Sequence, residues 1–259
     1  MNEFHSFLSS KGTNNQHTRK SLLRYYRKQG RITSIKRGLY AVIPTDTQPE
    51  LFPVDPFVIA SKMTPDAVLG YHTALEFYGS AYSVFTKFYY VTSKKTLPLQ
   101  FQSSEIIGVM QPRTLRDKAK EDFCVKESLR GDFQVRVTNF ERTLVDMLDR
   151  PELSGSWEEI SRSLECVEYF DLDQVLEYTL LLENSTTAAK VGFFLDKHKD
   201  QLMVDNYHLK YLRKYKPGQP HYMTRNKRKG CHLVKEWNLM VPSEIIHQTW
   251  KENDETICI

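Results

Sequence analysis

Apolar positions in the first forty residues change period once. Phe4, Phe7 and Leu8 stand on one side of a short helix expected over residues 2–8, and the Ser, Lys, Gly, Thr and Asn residues of 9–15 read as a turn. From His17 to Gly30 the spacing is helical, with Leu22, Leu23 and Tyr26 toward a core. Thr18 is the expected N-cap, and Gly30 sits where a helix end wants left-handed backbone. Beyond Gly30 the period is that of strands. Arg31 to Ile35 and Leu39 to Ile43 flank the basic turn Lys36-Arg37-Gly38, which predicts a β-hairpin.

Four prolines between Pro44 and Pro56 predict a linker. Past it, 56–62 and 71–78 read as helices, and the aromatic and β-branched run 83–92 as a strand. Further strands are expected at 105–110, 123–128 and 133–138. Helices follow from Asn139, with Phe140, Leu144, Val145 and Leu148 near one face, then at 157–165, 172–182 and 185–198. Strands first and helices later predict an α+β fold: a winged helix-turn-helix at 1–45, a mixed α/β domain at 46–200 whose later part is helical, and a C-terminal extension at 201–259.

Charge sharpens this picture. The chain's net charge is only +4, but residues 1–40 carry nine Lys/Arg and one acid, and residues 206–235 carry nine Lys/Arg and no acid. The segment between them is acidic, and so is the tail after 235. Two basic segments on an acidic body form an electrostatic footprint for a polyanion. A basic helix followed at once by a basic hairpin is the arrangement of a winged helix-turn-helix, whose helix enters the major groove while the wing lies along the backbone. On this reading Arg19, Lys20 and Arg24 lie toward base edges, Lys28, Arg31, Lys36 and Arg37 fit phosphates, and Thr18 and Arg27 complete the DNA-binding set. In the second basic segment Lys210, Arg213, Lys214, Lys216, Arg225, Lys227, Arg228 and Lys229 are interleaved with Tyr211, Tyr215, His221 and Tyr222. That mixture fits nucleic acid or an acidic protein partner.

Catalytic chemistry is hard to find. No P-loop, G-x-S-x-G or H-E-x-x-H occurs. Arg142 with Asp146, and His72 with Glu76, have i, i+4 spacing and read as structural pairs. Cys124, Cys166, Cys231 and Cys258 form no C-x-x-C and read as small core thiols. His221, Cys231 and His232 are the residues that could serve as zinc ligands, but adjacent Cys and His seldom close one tetrahedral site. No cofactor or metal is therefore expected. The N-terminal residues lack a secretory pattern and no apolar run is long enough to span a bilayer, so a cytoplasmic, nucleoid-associated protein with no membrane partner is expected.

Three segments, Arg37–Tyr40, Pro65–Gly79 with Gly70, Thr73, Ala74 and Leu75, and Glu141–Asp146 with Arg142, resemble in order and spacing the AbiEi family of bacterial antitoxins. The resemblance covers about the first 200 residues. It implies an N-terminal winged helix-turn-helix that represses its own promoter at DNA repeats. It also implies a C-terminal domain that counters a nucleotidyltransferase-like toxin in abortive infection, and no catalytic residues. Arg37 and its neighbours carry over as DNA-contacting, and the other matched residues as structural. A dimer on a repeated operator is expected. Three readings stay open: a DNA-binding autorepressor and antitoxin; a stand-alone regulator or a toxin- or RNA-binding protein using the second basic segment; and a nuclease-like enzyme.

Overall fold

The structure is a computed structural model that describes residues 9–10, 15–45, 47–48, 52–224 and 229–252. The helix expected over 2–8 lies outside the described residues. Ser9 and Ser10 are helical, which corrects the turn expected there. The first full helix, α1 (Gln16–Lys28), is capped by Asn15, whose side chain accepts from the His17 N–H at 2.8 Å. The cap is therefore not Thr18. Asn15 lies three residues ahead of Thr18, immediately before the first helical residue, and offers a side-chain carbonyl acceptor of the right reach. At the other end Gly30 has φ +69°. Its N–H donates to the Arg27 carbonyl, and the Arg31 N–H donates to that of Tyr26. This pair of closures satisfies the last carbonyls and turns the chain straight into a strand.

That strand, β1 (Ile32–Lys36), pairs antiparallel with β2 (Leu39–Val42) across the Arg37-Gly38 turn. A register shift between Ser34 and Lys36 bulges Ile35 out of the ladder. The hairpin is not a free arm. Ile35 and Leu39 pack on the cluster formed by Phe57, Met63, Phe88, Tyr90, Ile106, Val135 and Val137.

The body has a mixed α+β architecture around a six-stranded sheet. After α2 (Pro56–Ser61) come β3 (Val68–Leu69), α3 (His72–Tyr78), β4 (Lys87–Thr92), β5 (Leu99–Phe101), β6 (Ser104–Met110), α4 (Arg113–Asp117), β7 (Val125–Arg130) and β8 (Phe133–Thr138). The strand order is β5-β6-β4-β3-β8-β7, with β6/β4 and β3/β8 parallel and the other pairs antiparallel. Alternation sorts the side chains. Phe88, Tyr90 and Ile106 face α2 and the hairpin, while Val68, Tyr89, Val91 and Val109 form a cluster on the opposite face.

Helices α5 (Phe140–Asp149), α6 (Trp157–Glu165), α7 (Leu172–Leu181) and α8 (Ser185–Lys197) follow, close to the ranges expected. The chain then continues with α9 (Asn206–Arg213), β9 (His221–Tyr222), β10 (Cys231–Val234), β11 (Leu239–Pro242), α10 (Ser243–His247) and α11 (Thr249–Glu252). The sequence pattern predicted none of these. Their apolar residues Leu209, Leu212, Met223, Trp237, Leu239 and Val241 share one core cluster with Leu75, Leu144 and Leu176. The core that begins in α3 is thus completed by residues beyond 200. No described helix is long and apolar enough to cross a membrane.

Candidate nucleic-acid interface

Helix α1 carries five Lys/Arg and no acid. Thr18, Lys20, Arg24, Arg27 and Lys28 are exposed, Arg19 and Arg31 are half-buried, and the Arg19 guanidinium donates to Ser9 Oγ at 2.7 Å. Arg27 and Lys28 in the last turn complement the helix dipole. Arg19 and Lys20 in the first turns oppose it, a cost that bringing up an anion reverses. Leu22 and Leu23 are half-buried as expected, but Tyr26 is 41% exposed and Tyr25 57%. Among the described elements α1 leans chiefly on β1, and that contact covers too little of the helix to bury a second aromatic.

The hairpin divides its cations. Arg37 at the turn is exposed. Lys36 is half-buried, and its ammonium donates to the Met63 carbonyl at 2.5 Å. Burial lowers its pKa. Lys36 therefore fastens the hairpin to the end of α2, a role the sequence did not suggest. Between hairpin and body runs a groove of about 490 Å³, lined by Lys36, Arg37, Lys62, Glu127 and Arg136 among others.

The second basic segment is divided in the same way. Arg213 lies over Trp237 at 5.2 Å and reaches Asp196 at 3.6 Å and Glu236 at 3.8 Å. Lys216 donates to the carbonyls of Lys235 and Glu236 at 3.3 and 2.7 Å. These two are structural fasteners. Lys210, Lys214 and Lys229 are exposed; Arg225, Lys227 and Arg228 lie outside the described residues.

The paired residues of the body are consumed internally. Arg142 is fully buried: it donates to the carbonyls of Glu121 and Phe123, both at 2.8 Å, faces Asp146 at 3.4 Å and lies over the Tyr178 ring at 5.3 Å. The Tyr178 hydroxyl donates to Asp146 at 2.6 Å. Burial pushes the Asp146 carboxyl upward, and Arg142 and Tyr178 oppose it. His72 is stacked on Phe85 at 3.7 Å. Its nearer carboxylate is Glu159 at 3.0 Å, not the Glu76 expected from spacing, which stands 3.5 Å away. A pair 87 residues apart has no local signal.

Burial raises the pKa of Glu159, but donors from Ser83, Ser163 and His72 outweigh it and leave the carboxyl below its ordinary value of 4.5. A depressed native pKa stabilises the fold above the unfolded value, and that contribution is lost as pH falls through the native one. Urea unfolding between roughly pH 3 and 6 should therefore show stability falling on the acid side, with a shallower fall in Glu159→Gln. Parallel slopes in the two proteins would remove Glu159 from that account.

The thiols correct another expectation. Cys166 is exposed and Cys124 and Cys231 are half-buried, so none of the three is a core residue; Cys258 is outside the described residues. Burial pushes the Cys124 thiol up to about 11. His221 bonds Thr186 at 2.7 Å and His232 bonds Ser243 at 2.9 Å. Among the described residues no three His, Cys, Asp or Glu side chains come together as a metal site.

No family model matches the chain, and no curated protein does. Solved structures do. In fold the chain is similar to the RV2827C protein of Mycobacterium tuberculosis, known from a crystal structure. The TM-score is 0.62 at 16% identity, over 95% of this chain and 86% of that one. This is a likeness of fold and carries no chemistry.

Proposed function

We propose that this protein is a sequence-specific double-stranded-DNA-binding repressor of its own promoter and the antitoxin of an AbiEi-type toxin–antitoxin system, working in the cytoplasm at the nucleoid. The observation that carries the DNA reading is α1: an exposed helix with five cations and no acid, joined through the Gly30 closure to a hairpin with Arg37 at its tip. A single helix fits the major groove, and a hairpin beside it reaches the adjoining backbone. The three AbiEi-like segments support the antitoxin role. On this proposal the body does not catalyse, since Arg142, Asp146 and His72 are spent on internal contacts.

The test is binding to the protein's own promoter region. Arg24→Ala should cost about 1–3 kcal/mol on the preferred sequence and relax its selectivity. Lys28→Ala should weaken all duplexes alike and lower the salt slope by about one unit. Equal affinity of the wild type for promoter and scrambled duplex would remove the sequence-specific reading. Charge substitutions are a cleaner probe than deleting residues 1–45, because deletion strips Ile35 and Leu39 from the core. For the antitoxin role, co-expression with a neighbouring nucleotidyltransferase-like gene should relieve growth arrest.

A further inference from the structure

The acid-free segment around α9 holds three tyrosines at positions 207, 211 and 215. The i, i+4 spacing brings Tyr207 and Tyr211 to one face of α9, opposite the buried Leu209, and Tyr215 follows in the turn after its end. Tyr207 and Tyr211 are nearly parallel with centroids 5.8 Å apart, and Tyr211 meets Tyr215 edge-on at 5.6 Å. The middle ring is half-buried and anchored on the core, while Tyr207 is 62% and Tyr215 44% exposed. Lys210 is exposed beside them, and the Lys214 ammonium stands 5.5 Å from the Tyr211 ring. Glu236 faces Arg213 at 3.8 Å, and Asp173 lies 3.7 Å from His208.

We propose that this tyrosine ladder is a stacking platform for single-stranded nucleic acid, separate from the duplex-binding helix α1. Rings offer faces to unpaired bases of any sequence, and the flanking lysines neutralise the backbone between them. An acidic peptide would engage the lysines and leave the rings idle. A proline-rich peptide would use the rings and gain nothing from the charge. Only a stacked polyanion uses both. Arg213 and Lys216 take no part, being held by Trp237 and by backbone carbonyls.

The experiment uses the full chain with Arg19→Ala, Arg24→Ala and Lys28→Ala to silence α1, and fluorescence anisotropy of single-stranded oligo-dT and oligo-U of about twelve nucleotides. The oligonucleotides should bind. Tyr207→Ala with Tyr215→Ala should weaken binding by about tenfold or more at an unchanged melting temperature, while the Phe pair keeps it. Lys210→Ala with Lys214→Ala should reduce the salt slope by about 1.4 units. No binding, or equal affinity of the alanine pair and the parent, would overturn the proposal. So would loss of an acidic or proline-rich peptide, rather than the oligonucleotide, in the alanine pair. Promoter binding by the protein with α1 intact is read separately, so either conclusion can fail without the other.

Discussion

Arg142→Ala is expected to cost about 3–5 kcal/mol of folding stability, the range for removing one member of a buried ion pair. The guanidinium is the only described bridge from α5 to the carbonyls of Glu121 and Phe123 ahead of β7. Its loss strands those acceptors and leaves Asp146 buried with only the Tyr178 hydroxyl as donor. An unpaired carboxylate in that position takes up a proton instead of staying charged. Asp146→Asn in the Arg142→Ala background should therefore recover part of the loss. Urea unfolding of the two single variants and the double reads this directly. A loss of about 1 kcal/mol or less, the value of an exposed pair, would mean that the cluster is not holding α5 in place.

The second large effect is expected at Gly192 in α8. A methyl group there would lie 2.1–2.6 Å from three atoms of the Trp237 ring. The indole has no room to yield. It is fully buried, its N–H donates to Asp196 at 3.1 Å, and Arg213 covers it. Alanine favours a helix over glycine by about 1 kcal/mol, yet overpacking costs about 1–3 kcal/mol and here reaches the top of that range or beyond. Gly192→Ala should therefore destabilise despite better helix propensity. Gly218→Ala, with nothing within 4 Å of its added methyl, should be close to neutral. Trp237→Ala alone should cost about 3–5 kcal/mol, and adding Gly192→Ala to it should cost almost nothing more. Additive losses in thermal or urea unfolding would show that the ring does not sit on the glycine.

These two positions also mark how far the sequence could be read. The body's longer strands and its helices other than α4 were visible because a single period runs through each. Leu144, Val145 and Leu148 share a face, and Phe133 to Thr138 alternates. Val68–Leu69 was not visible, because two residues cannot display a period, though they sit between β4 and β8 at the centre of the sheet. The stretch after 200 was misread as a basic extension because its lysines and arginines outweigh the few apolar residues. Asp205 ahead of Leu209 and Leu212, and the alternation from Trp237 through Leu239 to Val241, were the available signals. In the candidate interface Lys20, Arg24, Arg27 and Lys28 of α1 were legible as an exposed set, while the half-buried Arg19 was not told apart from them. Which lysines and arginines serve as fasteners was not, because Met63, Lys235, Glu236 and Trp237 are remote from their partners in sequence or reached only through folding. The tyrosine ladder was visible as composition but not as a row of rings.

The way the C-terminal strands finish the core has a bearing on synthesis. Leu75 is made early, and the groups that help shield its cluster, Trp237 and Leu239 among them, leave the ribosome more than 160 residues later. Until then the nascent chain carries an open apolar surface, the condition under which chaperones are recruited and proteases cut. The N-terminal helix and hairpin have no such wait for their own hydrogen bonds, which close locally within residues 15–43. A half-made chain therefore presents its cationic helix before it owns a finished body.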